Sequence, residues 1–502
     1  MTKKISLLTL MLISAFTSKA ATLSEKIDSF FKPIVENYLV PVIFWDPIKA
    51  MGFDIGASVP IVVVWLVFGA IYFTFRMNFI NIRGFKHAIG LVKGDYDDPN
   101  DKGEVSHFQA LTTALSATVG LGNIAGVAIA ISIGGPGATF WMIVAGLLGM
   151  SAKFVECTLG IKYRKIDENG EVSGGPMYYL RDGLAKYNMA GFGKVLAILF
   201  AILCIGGSFG GGNMFQANQA YAQLAGQFPS LAGNGPMFGL ILSILVGAVI
   251  IGGIKSIANV TEKIVPFMAA LYVGTALIII LLNFTEIGTV FALIFQGAFA
   301  PAAGLGGIVG VLIQGFRRAA FSNEAGVGSA SIAHAAAKTN EPVSEGFVAL
   351  LEPFIDTVVI CTMTALVLII TGFHNVQGVE GAQMTSQAFG SVFSWFPYLL
   401  VIAIFLFAFS TMISWSYYGL KAWTFLFGRT KLSVYSYKLL FLLFIIIGSS
   451  VKLGAVLDFS DMMILAMAFP NIIGLLILSK EVRVDLDDYY SRLKSGVIKR
   501  FK

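Results

Sequence analysis

A chain of 502 residues that is 56% hydrophobic and only 13% charged lies far from soluble composition, in which about a quarter of residues carry charge. It reads as an integral membrane protein, and its continuous apolar runs indicate helices rather than the ten-residue alternation of a barrel. The formal charge of +6 does not point to nucleic acid, because Lys and Arg gather in alternate connections and at the C-terminus, which is a topology signal.

The chain opens with Lys3 and Lys4, an apolar core from Ile5 to Phe16, and Ser18-Lys19-Ala20-Ala21. That is the pattern of a secretory signal peptide, expected over residues 1–20. Residues 21–57 mix charge with Pro33, Pro41 and Pro47 and suit an exported segment with short surface helices. The first span, 58–77, is followed by Arg76, Arg83, Lys86 and Lys93, so it runs from outside to inside, and 58–105 forms an extra N-terminal helix with its cytoplasmic link.

Further apolar runs lie near 106–131, 137–163, 193–224, 236–254, 263–283, 303–335, 346–371, 395–418, 435–452 and 460–479, which makes eleven. The stretches 226–237, 284–302 and 372–398 contain no Lys or Arg and are expected outside, while Arg164, Lys165, Lys186, Lys255, Lys338, Lys421 and Arg429 mark the inside. The count places the N-terminus outside and the basic tail, 481–502, in the cytoplasm. Cys157, Cys204 and Cys361 fall in apolar runs and read as packing residues. His87, His107, His334 and His374 show no metal-ligand spacing, so no transition-metal site is expected.

Two runs are interrupted. The run at 106–131 is broken by Gly120-Leu121-Gly122-Asn123, and the run at 303–335 by Gly315-Phe316-Arg317-Arg318 and again by Phe321–Gly326. With the first span set aside, these are helices one and six of ten. Matching breaks in two five-helix halves, 106–283 and 284–480, are the organisation of inverted-repeat transporters. Unwound backbone at bilayer depth is tolerated only where protein, water or a ligand satisfies it. Freed carbonyls suit a cation, and half-helix N-termini suit a carboxylate. Close helix packing is the competing use of such glycines, and it fits Gly134, Gly135, Gly146 and Gly149. No GxGxxG phosphate loop within a βαβ unit is present.

The residues Ser116–Gly126, GGPGATFWM (134–142), GGPMYYL (174–180), GGGNMFQAN (210–218), FSNEAGVGSASIAHAAAKT (321–339) and EPFIDT (352–357) together resemble the alanine/glycine:cation symporter family. The stretch VGLGN (119–123) is also similar to the first core helix of the bacterial leucine transporter. The resemblance implies an all-α LeuT-type fold of about 11 transmembrane helices, a five-plus-five inverted repeat plus one extra N-terminal helix. Two departures concern the pocket: Ile143 stands where the family signature has a second Trp, and Phe215 and Gln219 are larger than expected.

By the same resemblance, Na⁺ would be held by backbone carbonyls around Ser116, Thr118 and Val119, by the Asn123 side-chain oxygen, and by the hydroxyls of Ser410 and Thr411. Hydroxyls back-bonded to their own helix are the competing reading for these last two. The amino acid would meet Thr118 and the N–H groups near Gly120 and Gly122, with Gln216 at a polar end and Phe316 and Trp415 closing the side-chain volume. Glu156, Arg317, Arg318, Glu324, Glu352 and Asp356 are charges at membrane depth, which default to functional candidates. Gating or structural roles are expected, with an Arg–carboxylate pair bracing the 303–335 run and Lys153 as a local partner for Glu156.

The implied activity is Na⁺-coupled import of small neutral amino acids, alanine and glycine foremost, across the bacterial inner membrane by alternating access. No cofactor beyond the coupling ion, no nucleic acid and no obligate protein partner is implied; the lipid bilayer is the surrounding. Proton coupling through Glu324 or Glu156 remains an alternative, and a channel or receptor is disfavoured by the single occluding pair of breaks and the short tail. No catalytic constellation is apparent, so an enzyme is not expected.

Overall fold

The computed structural model describes residue 37 and residues 40–501, apart from 99, 300–303, 377 and 379–380, so the signal-like start lies outside the described residues. After two short helices, Val40–Ile43 and Pro47–Ala50, the chain enters α1 (Ile61–Arg76). An amphipathic helix, Phe85–Val92, follows, and Ser106 and Gln109 then form a reciprocal cap that starts α2 (His107–Thr118).

At Val119–Leu121 the helix stops and resumes as α3 (Gly122–Gly134), turned by 50°. Then come α4 (Gly137–Lys162), a small hairpin of β1 (Lys165–Ile166) and β2 (Val172–Ser173), and α5 (Ala190–Gln227). Helices α6 (Gly235–Ile250) and α7 (Gly253–Leu282) complete the first half. The second half holds α8 (Ile287–Phe299), α9 (Gly304–Asn323), a short helix Ala330–His334, α10 (Pro342–Ile370), α11 (Gly381–Val392), α12 (Phe396–Phe427), α13 (Lys431–Gly448), α14 (Leu453–Ala466) and α15 (Ala468–Lys494).

Seven of the described helices are long and apolar enough to cross a membrane unaided, and the bent α2–α3 pair makes eight; α1, α6 and the helical stretch Phe284–Phe299 are apolar but shorter. The protein is an all-α integral membrane protein. Its lipid-facing side chains are large and apolar, as at Phe68, Ile202, Leu281 and Leu439, while polar groups turn inward.

The connections expected outside are structured. Residues 287–299 form α8, whose Phe295 and Phe299 pack on Phe140 of α4, and 381–392 form α11. An aromatic at every fourth position, Phe291, Phe295 and Phe299, is the helical signal that hydropathy counting passed over.

Glycines permit the closest helix contacts. A Cβ on Gly137 would lie 2.2 Å from the Gly297 backbone, so α4 and α8 touch backbone to backbone there. A Cβ on Gly212 would lie 2.2 Å from Cγ of Trp415, which brings α5 onto α12.

At the basic end, ion pairs knit the connections together. Arg492 pairs with Glu341, Lys162 with Asp485, Lys421 with Glu171, and Arg500 with Asp95. The segment after Lys480 is therefore a helix continuous with α15, docked against residues 85–96 and 341–347, rather than a free tail. Tyr489 bonds His87 at 2.8 Å and lies tilted against the Phe347 ring at 5.7 Å.

Candidate functional site

The first break is held by its own side chain. Asn123 Oδ1 accepts from the Gly120 N–H at 2.8 Å, folding the amide back over the turn. The Leu121 N–H donates to Gln216 Oε1 on α5 at 3.2 Å, and Gln216 Nε2 donates to the Gly211 carbonyl. The amide oxygen of Gln216 thus sits where the break presents backbone N–H.

One turn earlier, the Thr411 hydroxyl of α12 donates to the Ser116 carbonyl at 2.9 Å. Ser414 meets the Ser116 hydroxyl. By contrast, Ser410 donates to Phe407 of its own helix, 3.1 Å away, and Thr118 back-bonds to Ala114 and Leu115. Val119 closes α2 by donating to Leu115. Of the two α12 hydroxyls expected near the first break, Thr411 reaches it and Ser410 turns away.

The second break lies at Glu324–Ser329. Helix α9 runs unbroken through Gly315-Phe316-Arg317-Arg318, so the first of the two interruptions expected there is absent. Gly315 serves packing instead: a Cβ on it would lie 2.5 Å from Trp141 Cβ and 2.8 Å from the Ala138 carbonyl oxygen. The unwinding comes at Glu324, whose φ of 55° is left-handed, and at Gly326 and Gly328 with φ of 85° and 97°. Phe316 consequently sits two turns up the helix from the break, and Phe321, edge-on to Phe215 at 5.4 Å, stands nearer to it.

The helices touch beside their breaks. A Cβ on Gly122 would lie 3.3 Å from Cα of Ser322. Asp356 of α10 joins them, since Asn123 Nδ2 donates to its Oδ1 at 2.6 Å and the Ser322 hydroxyl to its Oδ2 at 2.9 Å. Thr357 adds a third donor at 2.6 Å. On the other side, Trp415 Nε1 donates to Glu324 Oε1 at 3.0 Å, and the Ser329 hydroxyl donates to the same carboxylate. Trp415 therefore closes the volume between α12 and the second break.

The remaining charges pair differently from the expectation. Arg317 and Arg318 both bond Asp461 of α14, a residue the sequence did not single out, and Arg317 also lies over the Phe44 ring at 4.3 Å. Lys153 bonds Glu352 at 2.8 Å rather than Glu156, because i,i+3 neighbours on α4 are outbid by a carboxylate arriving from α10. Glu156 instead accepts from Asn471, which also donates to the Gly326 carbonyl and accepts from Tyr179. All three cysteines are buried and free. Among the described residues no group of His, Cys, Asp and Glu is arranged to hold a metal ion.

Two helices that come apart at facing breaks inside a membrane bundle, lined by backbone groups, amides and hydroxyls, define a secondary transporter. Residues 50–502 match the sodium:alanine symporter family, and the chain belongs to it. It is 43% identical to the sodium/alanine symporter AgcS of Methanococcus maripaludis over 84% of this chain and 92% of that one. It is 38% identical to the probable sodium/glutamine symporter GlnT of Bacillus subtilis over 87% and 89%. The solved structure of MhsT in complex with L-phenylalanine aligns with 75% of this chain and 99% of its own, at 16% identity and a TM-score of 0.47. The protein is a sodium-coupled amino-acid symporter, a carrier and not an enzyme.

Proposed function

We propose that this symporter imports small neutral amino acids, alanine and glycine foremost, with Na⁺, across the bacterial inner membrane. Its N-terminus would lie outside and its C-terminus inside, as the basic connections indicate, and its core would be a five-plus-five inverted repeat preceded by α1. The observation that carries this reading is the contact of the two helices beside their breaks, at Gly122 and Ser322, walled by Trp415, Phe215 and Phe321. Bulky rings on that side would favour a short side chain, because a larger one would overfill the site.

The amino-acid carboxylate would take the Leu121 N–H now held by Gln216, with Gly120, Gly122 and Thr118 forming the wall behind it. Na⁺ would sit against the carbonyls of Ser116, Thr118 and Val119 with the Thr411 hydroxyl, neutral oxygens of the kind a hard cation accepts in place of water. Ser410 would join only after a change of rotamer, and Asn123 would act through the turn it holds rather than by ligation. Phe316, Arg317 and Arg318, with Asp461, would brace the outer approach. Glu156, Glu324, Glu352 and Asp356 would hold the broken segments in place.

Uptake of a panel of labelled amino acids into proteoliposomes, under imposed Na⁺ or H⁺ gradients, tests this. Alanine and glycine are expected to accumulate only under the Na⁺ gradient. Accumulation unchanged by replacing Na⁺ with choline would sink the sodium assignment, and a preference for glutamine, as in the name of the Bacillus relative, would sink the size argument.

A further inference from the structure

Away from the breaks, the bundle buries a chain of titratable groups to which, Glu352 apart, the proposed transport site assigns no part. His107 Nδ1 meets Glu345 Oε2; Glu345 Oε1 lies 2.5 Å from His334 Nδ1; His334 Nε2 meets Glu352 Oε1; and Glu352 Oε2 accepts from Lys153 Nζ at 2.8 Å. Every one of these side chains is almost fully buried. The chain reaches solvent at one end, where His107 Nε2 lies 4.0 Å from Oδ1 of Asp97, a side chain 46% exposed. Sequence spacing hides the cluster, because its members come from four separate segments.

The proton count of this cluster is constrained. Both nitrogens of His334 face carboxylate oxygens, but a neutral imidazole carries only one N–H. Either the ring is an imidazolium or one carboxyl carries the proton, so the contact set requires one proton more than neutral histidine and ionised glutamates supply. Without it, one nitrogen meets a carboxylate oxygen acceptor to acceptor, in a buried place where such a contact is costly.

The members also lie at mechanically significant points. His107 is the first residue of α2, leading to the first break, and His334 ends the short helix after the second break. Glu345 and Glu352 belong to α10, and Lys153 to α4. Asp97 and Asp101 face His107 from the preceding loop, and Arg164 faces Glu345 and Asp101 from the end of α4. Glu156, Cys157 and Glu324 lie around Lys153, and Tyr418 of α12 faces Glu352 and Glu324.

We propose that His107, Glu345, His334 and Glu352 form a proton-binding relay, open to solvent at Asp97, which locks the basic end of the bundle while protonated and must release a proton before that end opens. A proton enters at His107 Nε2 as the Nδ1 proton passes to Glu345. Glu345, its carboxyl turned, passes it from Oε1 to His334 Nδ1, and the ring becomes an imidazolium that donates to Glu345 and, through Nε2, to Glu352, while His107 regains its Nδ1–H by exchanging its Nε2 proton with solvent. One proton leaves solvent and one is gained within, with no other reactant. Release reverses the sequence and leaves Glu345 Oε1 facing His334 Nδ1 acceptor to acceptor, which removes that tie between α10 and the segment after the second break.

The inference rests on the transport reading only for its second test. In the first, melting of the purified, ligand-free protein is followed from pH 6 to pH 9. Wild type is expected to lose stability as the pH rises and the relay empties, and His334→Gln to show a flat profile over that range. A variant uniformly less stable at every pH, with the wild-type slope kept, would mean that the cluster is structural and would overturn the proposal.

In the second, release of labelled alanine toward the basic face is measured at varied pH on that face. The expected rise is about tenfold per pH unit at its steepest, the signature of a single proton. His107→Gln, which leaves the deep ties intact but cuts the solvent connection, keeps the test open if His334→Gln does not fold, and it is expected to abolish the response. A wild-type rate independent of pH refutes the relay, whereas failure of Na⁺-driven uptake at one fixed pH refutes the transport reading and leaves the melting result standing.

Discussion

Gly120→Ala is the sharpest perturbation of the first break. The added Cβ would lie 2.5 Å from Thr411 Oγ1 and 3.2 Å from Gln216 Oε1. Gly120 does not have a left-handed φ, so alanine brings no backbone strain and the effect is steric. Thr411 is buried on α12, and its hydroxyl is spent on the Ser116 carbonyl. To make room it must abandon that bond, worth about 1 kcal/mol net, while overpacking adds about 1–3 kcal/mol. The total of about 2–4 kcal/mol is a loss of folding stability, and the displaced Thr411 hydroxyl is expected to weaken sodium dependence besides. The assay is the Na⁺ concentration for half-maximal alanine uptake, with melting of the purified variant alongside. Gly126→Ala is the matched control in the same broken helix, because its Cβ would meet nothing within 4 Å. Its φ and ψ of −63° and −38° are already helical, so transport should be unchanged and stability raised by about 0.5–1 kcal/mol. Wild-type sodium dependence in Gly120→Ala would refute the placement of Thr411 and Ser116 at the cation.

Asp461→Asn leaves Arg317 and Arg318 facing each other without their shared anion. Because Arg318 is buried, a loss of about 3–5 kcal/mol is expected in melting or denaturant unfolding, and Arg317→Gln should cost less since its side chain is 21% exposed. Asn123→Ala removes the oxygen on the Gly120 N–H and the amide on Asp356 together, so the melting temperature should fall even without sodium; an unchanged value in sodium-free buffer would contradict the turn-holding role. Burial drives the pKa of His87 down from 6.5 to about 4, so the docked form holds it neutral. The undocked form binds its proton below about pH 6.5, and the docking of α15 on His87 should therefore be complete above that pH and weaken as the pH falls toward 4. Hydrogen exchange at 483–494, compared at pH 7 and pH 5, reads this directly.

The apolar runs were legible because hydropathy is a property of contiguous residues, and the break at Gly120–Asn123 because two glycines and an amide in one turn leave few alternatives. The position of the second break was harder to read. Gly315 and the two arginines look like an interruption in one dimension, yet the glycine accommodates Trp141 and the arginines reach Asp461, both choices made by other helices. The actual break turns on Glu324 in a left-handed conformation, which no composition rule expects of glutamate. Of the two interruptions the sequence offers, the one at Phe321–Gly326 overlaps the unwinding at Glu324, and the wall assigned to Phe316 belongs to the other, which is absent. The partners of the ion pairs were hidden for the same reason: Arg317 and Arg318 meet Asp461, and Lys153 has a carboxylate three residues away in sequence and bonds one that is 199 residues away.

Asn123 shows how the same residues acquire different work in three dimensions. By the family resemblance, this amide at bilayer depth beside two glycines would be a ligand for the cation. In the fold its oxygen closes the turn on Gly120 and its nitrogen reaches Asp356, which Ser322 grips from the second break. A solute that drew on the Leu121 N–H would shift the turn that Asn123 holds, and through Asp356 the segment before Glu324. A cation on the Ser116 carbonyl and the Thr411 oxygen would replace the hydrogen bond that now joins them, one turn away on the same helix. The two ligands of the proposed site would thus bias one connected set of hydrogen bonds, and coupling between them would follow from that shared set without any direct contact.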